Sequence, residues 1–183
     1  MLMSETLLHS SADIAGTAAD LARQAAETAL RFYRGSLDVD LKGDESPVTQ
    51  ADMAVERQAR DLLAQRFPDH AILGEEYGAG DLGASHVWVI DPIDGTRSFI
   101  CGHPLFGFLL AHVHDGDPVL GLISMPALGE LFMGQRGKGA TLNGQPIRVS
   151  TKRALKDAFI SINEGEKLLM HEPQALSRLL GAG

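Results

Sequence analysis

Two carboxylates stand close together in the middle of the chain, in the segment Trp88-Val89-Ile90-Asp91-Pro92-Ile93-Asp94-Gly95-Thr96. Residues 86–90 are apolar and mostly β-branched, which is typical of a buried strand. We predict that this strand ends at Asp91, because Pro92 cannot continue a hydrogen-bonded ladder. Gly95-Thr96 then predicts a tight turn into a short helix.

This segment can hold a metal ion beside a phosphate group. Asp91 and Asp94 supply the carboxylate oxygens that hard cations such as Mg²⁺ prefer. The backbone N–H groups of Gly95 and Thr96 can bind phosphate oxygens. The alternative is an ordinary Asp-Pro turn followed by an Asp-Gly reversal, since these residues form turns in any protein. The rest of the chain has to decide between the two interpretations.

Further carboxylates lie upstream. Thr49-x-x-Asp52 resembles a capping box at the start of a helix, where a carboxylate also suits the helix dipole. That role alone accounts for Asp52, and the alternative is that it points into a metal site and orients a metal-bound water. Glu75 and Glu76 follow a short predicted strand, and only one of them can face a site because side chains alternate. A solvated turn is the alternative for this pair.

The type of ligand indicates the type of metal. Four carboxylates lie beside turns at the ends of predicted elements: Asp52, Glu75, Asp91 and Asp94. Clustered oxygen ligands without supporting Cys or paired His select Mg²⁺ or Mn²⁺ over Zn²⁺. His112 and His114 share a face of a predicted strand, and such a pair can bind metal. Because no clear third ligand lies near them in the sequence, we interpret them as exposed edge or partner-facing residues.

Hydrophobic periodicity predicts the elements that position these residues. Helices are predicted at 11–34 and 49–67, a half-buried strand at 37–42, a polar loop at 43–48 and a short strand at 71–73. Residues 77–85 are rich in glycine and indicate a mobile lid or connector. From residue 105 onward, turn signals such as Asn143-Gly144 predict a β-meander, with strands at 106–114, 119–125, 131–135 and 146–150.

This order of elements predicts an α+β fold. Residues 1–150 would form an antiparallel sheet with paired N-terminal helices, and this domain would carry the metal and phosphate site. After residue 150 we predict one strand at 158–162 and one helix at 171–180. A strand and a helix do not make a domain, so residues 151–183 are interpreted as the beginning of an incomplete second α/β domain.

Composition argues against several classes of protein. The 183 residues carry a net charge of −8 and no basic cluster, which argues against a nucleic-acid surface. The single cysteine, Cys101, excludes an internal disulfide and fits a reducing compartment. We find neither a signal-peptide pattern nor an apolar run of membrane-spanning length. We therefore expect a cytoplasmic protein without nucleic-acid or membrane partners.

Residues 37–150 resemble the inositol-monophosphatase superfamily, the lithium-sensitive, Mg²⁺-dependent phosphatases, in the order and spacing of several motifs. The motifs that carry the resemblance are Ser46-Pro47-Val48-Thr49-x-Ala51-Asp52-x3-Glu56, Ile72-Leu73-Gly74-Glu75-Glu76, residues 88–96, Gly121-Leu122-Ile123-Ser124-x-Pro126 and Gly137-x-Gly139-Ala140. The resemblance implies a layered αβ sandwich like that of the sugar phosphatases. It also implies hydrolysis of a small phosphate monoester by direct attack of water.

The resemblance further implies roles for individual residues. The first Mg²⁺ would be bound by Glu75, Asp91 and the backbone carbonyl of Ile93, and the second by Asp91 and Asp94. Glu75 and Thr96, with Asp52 nearby, would hold and activate the attacking water. Gly95 and Thr96 would receive the phosphate on their N–H groups, and Glu76 would support the ligands from behind. The implied substrate-binding residues are Glu75, Ile93, Asp94, Gly95 and Thr96.

The segments Arg97-Ser98-Phe99-Ile100 and Gly102-x-Pro104-Leu105-Phe106-Gly107 resemble the histidinol-phosphate phosphatase branch. We therefore predict histidinol phosphate as the substrate, with inositol monophosphate and adenosine 3′,5′-bisphosphate as alternatives. The family supplies another aspartate to the second metal from a late Trp-Asp motif, but nothing after Ser150 matches it. A truncated, non-catalytic metal-binding interaction domain, pairing as a homodimer, is therefore the alternative from another class.

Overall fold

Two long helices pack against each other and against a mixed sheet. The computed structural model describes residues 10–36, 39–41, 47–81, 83–159, 161–162 and 165–181. The chain divides into two units, Met1–Ile147 and Arg148–Gly183. The predicted division at residue 150 stays a prediction. No helix in the described residues is long and apolar enough to cross a bilayer.

The helix α1 (Ser11–Phe32) is an amphipathic helix with a complete capping box. Ser10 accepts a hydrogen bond from the Asp13 backbone N–H, and the Asp13 carboxylate accepts one from the Ser10 N–H in return. Its buried face carries the predicted stripe, Ile14, Ala18, Leu21, Ala25 and Ala29. The predicted packing helix at this position is confirmed.

The helix α2 (Gln50–Arg66) has Thr49 as its N-cap and Phe67 as its C-cap, just before Pro68. Its apolar face packs on α1 and on the sheet. Two charged residues, Asp52 and Glu56, lie on this same buried face. A helix face that buries carboxylates has to supply them with partners, since unpaired buried charge is costly.

The strands among the described residues are β1 (Val39–Leu41), β2 (Pro47–Thr49), β3 (Ala71–Gly74), β4 (Gly78–Ala79), β5 (His86–Asp94), β6 (Gly107–His114), β7 (Asp117–Met125), β8 (Glu130–Gln135), β9 (Gly139–Leu142) and β10 (Gln145–Ile147). The first two form a separate ribbon, and the others form one sheet in the order β10-β9-β8-β7-β6-β5-β3-β4. Every neighbouring pair in this sheet is antiparallel except β3 and β5, which are parallel. The α+β class is confirmed.

The predicted meander and two of its hairpin turns are confirmed, but its last strand covers 145–147 rather than 146–150, and β9 was not predicted. Asp115-Gly116 joins β6 to β7, and Asn143-Gly144 joins β9 to β10. Both residues of each pair have positive φ, between 48° and 80°. This is the combination that a two-residue type I′ turn requires, and it suits the right-handed twist of the strands.

Three predictions in the first unit differ in detail from the structure. The strand at 37–42 was expected to be half-buried, but every residue of β1 is exposed, and among the described residues β1 pairs with β2 alone. The predicted loop 43–48 ends in β2, and its residues 43–46 lie outside the described residues. The Gly-rich segment 77–85 contains β4, which pairs with β3 at the sheet edge. The lid or connector role of this segment remains a prediction.

The second unit differs from its prediction. Residues 158, 159, 161 and 162 form no strand, so the strand expected at 158–162 is wrong for these residues. The helices there are α4 (Gly165–His171) and α5 (Pro173–Leu180). Pro173 explains why the helix predicted from 171 begins later, since proline is favoured in the first turn of a helix. One further short helix, α3 (Thr96–Ile100), follows β5 in the first unit.

Candidate active site

Parallel pairing of β3 and β5 brings two of the predicted carboxylates, Glu75 and Asp91, together. Gly74 lies opposite Ile90, so the next residues, Glu75 and Asp91, lie beside each other at the same end of the two strands. The Glu75 N–H donates to the Ile90 carbonyl oxygen at 3.2 Å, which extends the pairing to Glu75 itself. Glu75 is exposed and Asp91 is half-buried. The sequence predicted both residues, but could not show that their strands are neighbours.

The strand β5 does not end at Asp91, as predicted, but continues to Asp94. Asp91 pairs with Leu109 and Asp94 with Gly107, so β5 gains one extra residue at this point. Such a bulge leaves a residue outside the ladder and can re-aim nearby side chains. Pro92 is tolerated here because it lies within this irregular stretch of the ladder.

Gly95 makes the turn between β5 and α3, as predicted. Its φ of +86° is left-handed, and a Cβ at this position would lie 2.9 Å from the carbonyl oxygen of Leu105. Both observations demand glycine. The Thr96 hydroxyl folds back and donates to the Ile93 carbonyl oxygen at 3.1 Å. The turn therefore holds Thr96 close to the Ile93 carbonyl and to Asp94, the two candidate metal ligands that precede it.

Asp52 takes part in a cap and also faces Thr96. Its Oδ2 accepts hydrogen bonds from the Thr49 N–H at 2.8 Å and from the Thr49 hydroxyl at 2.6 Å. Its Oδ1 lies 3.5 Å from the Thr96 hydroxyl oxygen. The capping box is thus confirmed. The two carboxylate oxygens serve different neighbours, so capping leaves room for the second role, which stays a prediction.

Asp91 is the carboxylate on which the negative charges of its neighbours act most strongly. Burial, together with the hydrogen bond to Glu75 and the negative charges of Glu75, Asp94 and Asp52, raises the pKa of Asp91 to about 7. Its Oδ1 is buried, and within the described part of the chain it has no hydrogen-bond partner. A buried carboxylate oxygen surrounded by like charges is strongly disfavoured unless a cation neutralises it. The donor set therefore fits a hard divalent cation.

Glu56 is a supporting residue to which we had assigned no role. It is fully buried on α2, and its Oε2 accepts from the Glu76 N–H at 2.7 Å. Its Oε1 accepts from the Tyr77 N–H at 3.2 Å and from Arg60 at 2.8 Å. Glu56 thus holds the turn that carries Glu75. The signal in the sequence was a carboxylate within the apolar stripe of a helix, one turn after Asp52.

Gly74 allows the Glu56 carboxylate to pack closely against the end of β3. A Cβ at Gly74 would lie 1.9 Å from the Glu56 Oε1. The buried carboxylate can therefore pass directly beneath the end of β3 only because Gly74 has no side chain. The half-buried Glu76 contributes its backbone N–H to this contact. Its predicted role behind the metal ligands remains a prediction.

The interpretation of His112 needs correction, whereas His114 is exposed, as predicted. His112 is buried rather than exposed, with 2% of its surface accessible. His70 and His86 lie beside it, and these three histidines each place one potential ligand atom within 4.8 Å of the others. The third histidine was missed because His70 precedes β3 and is far from β6 in sequence. Burial and the neighbouring rings of His70, His86 and His114 lower the pKa of His112 to about 4.

Comparison with known proteins agrees with this fold. The chain matches the inositol monophosphatase family over residues 11–176. It therefore belongs to the inositol monophosphatase family, as the resemblance implied. The histidinol-phosphatase of Chlorobaculum parvum is 42% identical over 153 residues, which are 83% of this chain and 59% of the relative. The inositol monophosphatase of Mesembryanthemum crystallinum is 35% identical over 159 residues, 85% of this chain and 59% of the relative.

The fold is also similar to solved structures. The extragenic suppressor protein suhB of Bartonella henselae has a TM-score of 0.79 and 30% sequence identity, over 90% of this chain and 67% of that protein. The chain thus spans about three fifths of the length of the two curated relatives described above.

Proposed function

We propose that this chain carries the metal and phosphate site of a phosphomonoester hydrolase that acts on a small phosphorylated metabolite. The observation that carries the proposal is Asp91, a half-buried carboxylate with one unpartnered buried oxygen, set among Glu75, Asp94 and Asp52. Family membership supports the same function. A mere Asp-Pro turn would not explain why four carboxylates approach one another.

The residues that would hold Mg²⁺ are Glu75, Asp91, Asp94 and the backbone carbonyl of Ile93. All of them are oxygen donors, and Mg²⁺ selects such ligands together with waters and substrate phosphate. When bound, the ion would make water more acidic and offset the negative charge of the phosphate. Mn²⁺ fits the same donors. The repulsion that raises the pKa of Asp91 would be relieved by the bound cation.

Thr96 and Asp52 would orient the attacking water. The Thr96 hydroxyl has one proton, which it donates to the Ile93 carbonyl oxygen at 3.1 Å. Its oxygen can therefore accept a hydrogen bond from a water on the exposed side. The Asp52 Oδ1, 3.5 Å from this hydroxyl, can take the proton that the water loses. A buried carboxylate within reach of the water proton is suited to general-base catalysis.

The phosphate group would bind at the turn after β5. The left-handed conformation of Gly95 turns the backbone sharply between Asp94 and Thr96. A phosphate that lies against the N–H groups of Gly95 and Thr96 would be beside the proposed metal ligands. The phosphate can approach the backbone closely only if the residue at position 95 has no side chain.

For the substrate, we infer histidinol phosphate. The similarity of segment 97–107 to that branch supports it, as does the name of the 42% identical relative. Within the segment, Phe99 and Phe106 are buried and pack edge to face at 4.9 Å, so they shape the site from behind. Arg97 is exposed, so its positive charge would be available to a phosphorylated substrate. Inositol monophosphate is the second candidate, because the 35% identical relative is an inositol monophosphatase.

The test is a phosphate-release assay on this chain with histidinol phosphate, inositol 1-phosphate and adenosine 3′,5′-bisphosphate, each with and without Mg²⁺. We expect Mg²⁺-dependent release that is fastest with histidinol phosphate. Mg²⁺ binding without turnover of any substrate would instead support the non-catalytic interaction domain. Release that is equally fast in the presence of a chelator would contradict the proposed site.

A further inference from the structure

We propose that His70, His86 and His112 form a second metal site, which binds a divalent transition metal such as Zn²⁺. This site is separate from the carboxylates. The three side chains each place one potential ligand atom within 4.8 Å of the others. Imidazole nitrogen suits Zn²⁺, Ni²⁺ and Cu²⁺, whereas Mg²⁺ prefers oxygen ligands. None of the roles proposed above for phosphate hydrolysis uses these residues.

The fold assembles the site from three parts of the chain. His112 lies opposite Trp88, and His114 opposite His86, in the antiparallel pairing of β5 with β6. His86 and His112 therefore occupy neighbouring positions on one face of the sheet, since every second residue shares a face. His70, from the connection between α2 and β3, lays its ring on that of His86 with centroids 4.4 Å apart.

The distance between two of the nitrogens already suits a metal. The Nδ1 of His86 lies 3.2 Å from the Nε2 of His112. Two nitrogens bound to one tetrahedral Zn²⁺ at roughly 2.0–2.1 Å would lie about 3.3 Å apart. An ion would replace the hydrogen bond between these rings by two metal–nitrogen bonds. Binding needs a tautomer change and a rotation of the rings, and both rings can keep a proton on the other nitrogen.

His70 is the ligand that binding would change most. Its Nδ1 accepts a hydrogen bond from the Trp88 indole N–H at 3.0 Å. The ring of His70 must release that donor, or turn, before this nitrogen can bind an ion. The pair His86 and His112 is therefore the core of the site, and His70 completes it. Trp88 is the single tryptophan of the chain, so its fluorescence reports this change directly.

A solvent-connected cavity supplies the way in. A cavity of about 630 Å³ is lined by His70, His86 and His112, together with Ser85 and other residues. Three protein ligands and one position open to solvent are the pattern of zinc sites that accept an external ligand. The cavity therefore provides both an entry path and room for a fourth, non-protein ligand.

The two proposed metal sites are far enough apart to be occupied independently. His86 and Asp91 lie five residues apart on β5, which corresponds to roughly 17 Å along a strand. An ion at one end would not share ligands with an ion at the other. Occupancy of the histidine site should therefore survive both saturation with Mg²⁺ and loss of the Asp91 carboxylate.

The experiment is a titration of Trp88 fluorescence with Ni²⁺ in the presence of saturating Mg²⁺. We expect quenching that saturates at one ion per chain, in the parent and in Asp91→Asn alike. His86→Gln should weaken the binding at least tenfold, because loss of a supporting residue alone typically costs roughly 10–100-fold in metal affinity. His171→Gln, which removes an exposed histidine of α4, is the matched control and should bind like the parent.

A second measurement keeps the test independent of folding defects in the variants. Zn²⁺ should raise the unfolding temperature of the parent at one equivalent, since a ligand that binds only the folded state stabilises it. Unchanged Ni²⁺ affinity in folded His86→Gln would overturn the proposal. It would equally be overturned if the parent showed neither quenching nor thermal stabilisation, or if Asp91→Asn abolished binding. In the last case the transition metal would occupy the carboxylates instead.

Discussion

The two ends of β5 carry opposite kinds of chemistry. At the Asp91 end, parallel pairing with β3 gathers carboxylates whose charges repel one another. At the His86 end, antiparallel pairing with β6 gathers imidazoles that stack and hydrogen-bond to one another. The carboxylates need a cation to offset their repulsion, whereas the histidines already have partners. We therefore propose that a cation is integral to the first site and optional at the second.

The largest effect should come from Asp91→Asn, which removes the carboxylate proposed to bind both ions. Metal-assisted stabilisation is worth several kcal/mol, and each 1.36 kcal/mol is tenfold in rate. We expect Mg²⁺-dependent turnover to fall at least about a hundredfold, without loss of stability in the metal-free protein. Asp61→Asn, an exposed position on α2, is the control. If calorimetry found parental Mg²⁺ affinity in Asp91→Asn, the carboxylate site would be wrongly assigned.

The next effect separates the two roles of Asp52. Asp52→Asn should slow turnover by about a hundredfold or more, as expected for loss of a general base. Thr49→Ala should instead cost about 1 kcal/mol of stability, typical of a lost N-cap, and leave turnover close to parental. Kinetics and chemical denaturation of both variants measure the contrast. Parental turnover in Asp52→Asn would leave this residue with its capping role alone.

A smaller effect is expected from Glu56→Gln, behind the carboxylates. The amide cannot accept hydrogen bonds at both of its ends, so contacts to Glu76, Tyr77 or Arg60 must be lost. We expect a stability loss of about 1–3 kcal/mol and a Mg²⁺ affinity roughly tenfold lower, as for loss of a residue that supports a metal ligand. Glu27→Gln, exposed on α1, is the control. Stability loss with unchanged Mg²⁺ affinity would make Glu56 purely structural.

The smallest effect is the pH dependence of Mg²⁺ affinity at the Asp91 end of β5. The pKa of Asp91 is raised to about 7, so protons should compete with Mg²⁺ below that pH. We expect Mg²⁺ affinity to fall by up to about tenfold per pH unit as the pH drops from 7, because one proton displaces the ion. Calorimetry between pH 6 and 8 measures it. A flat profile would show that Asp91 is already ionised in the metal-free protein.

Acidification should affect the stability of the metal-free protein in opposite directions through Asp91 and through His112. The folded-state pKa of Asp91 is raised, so its proton stabilises the folded state as the pH falls from 7 toward 3.8. The folded-state pKa of His112 is lowered to about 4, so the unfolded state binds more protons between pH 6.5 and 4, and stability is lost on acidification. The rings of His70, His86 and His114 face His112 and contribute to this lowered pKa. In Asp91→Asn the loss on acidification should therefore be steeper than in the parent, as denaturation at pH 6.5 and 4.5 would show.

Local motifs predicted the carboxylate end well. A capping box, a glycine turn and a buried strand are each specified by neighbouring residues, so Asp52, Gly95 and the start of β5 followed from the sequence. The bulge after Asp91 did not, because it depends on how β5 pairs with β6. The exposed β1 was misjudged for a related reason: alternation indicates which side chains share a face, but not whether another layer covers that face.

The histidine end could not be predicted in this way. His70, His86 and His112 come from separate elements, and nothing in the sequence near His112 indicates that His70 will lie beside it. The polarity of His112 was misleading as well, since a polar residue on a strand near a hairpin is usually exposed. The burial of His112 follows from its place opposite Trp88 and beneath the helices, which only the assembled sheet defines.

The most direct test of the central claim, that the carboxylates form the site for a hard cation, is anomalous X-ray scattering from crystals grown with Mn²⁺. We predict a peak within bonding distance of Asp91 and Glu75, with further contacts from Asp94 or the Ile93 carbonyl. A peak at the histidines with none at Asp91, or no bound manganese at all under saturating conditions, would contradict the account.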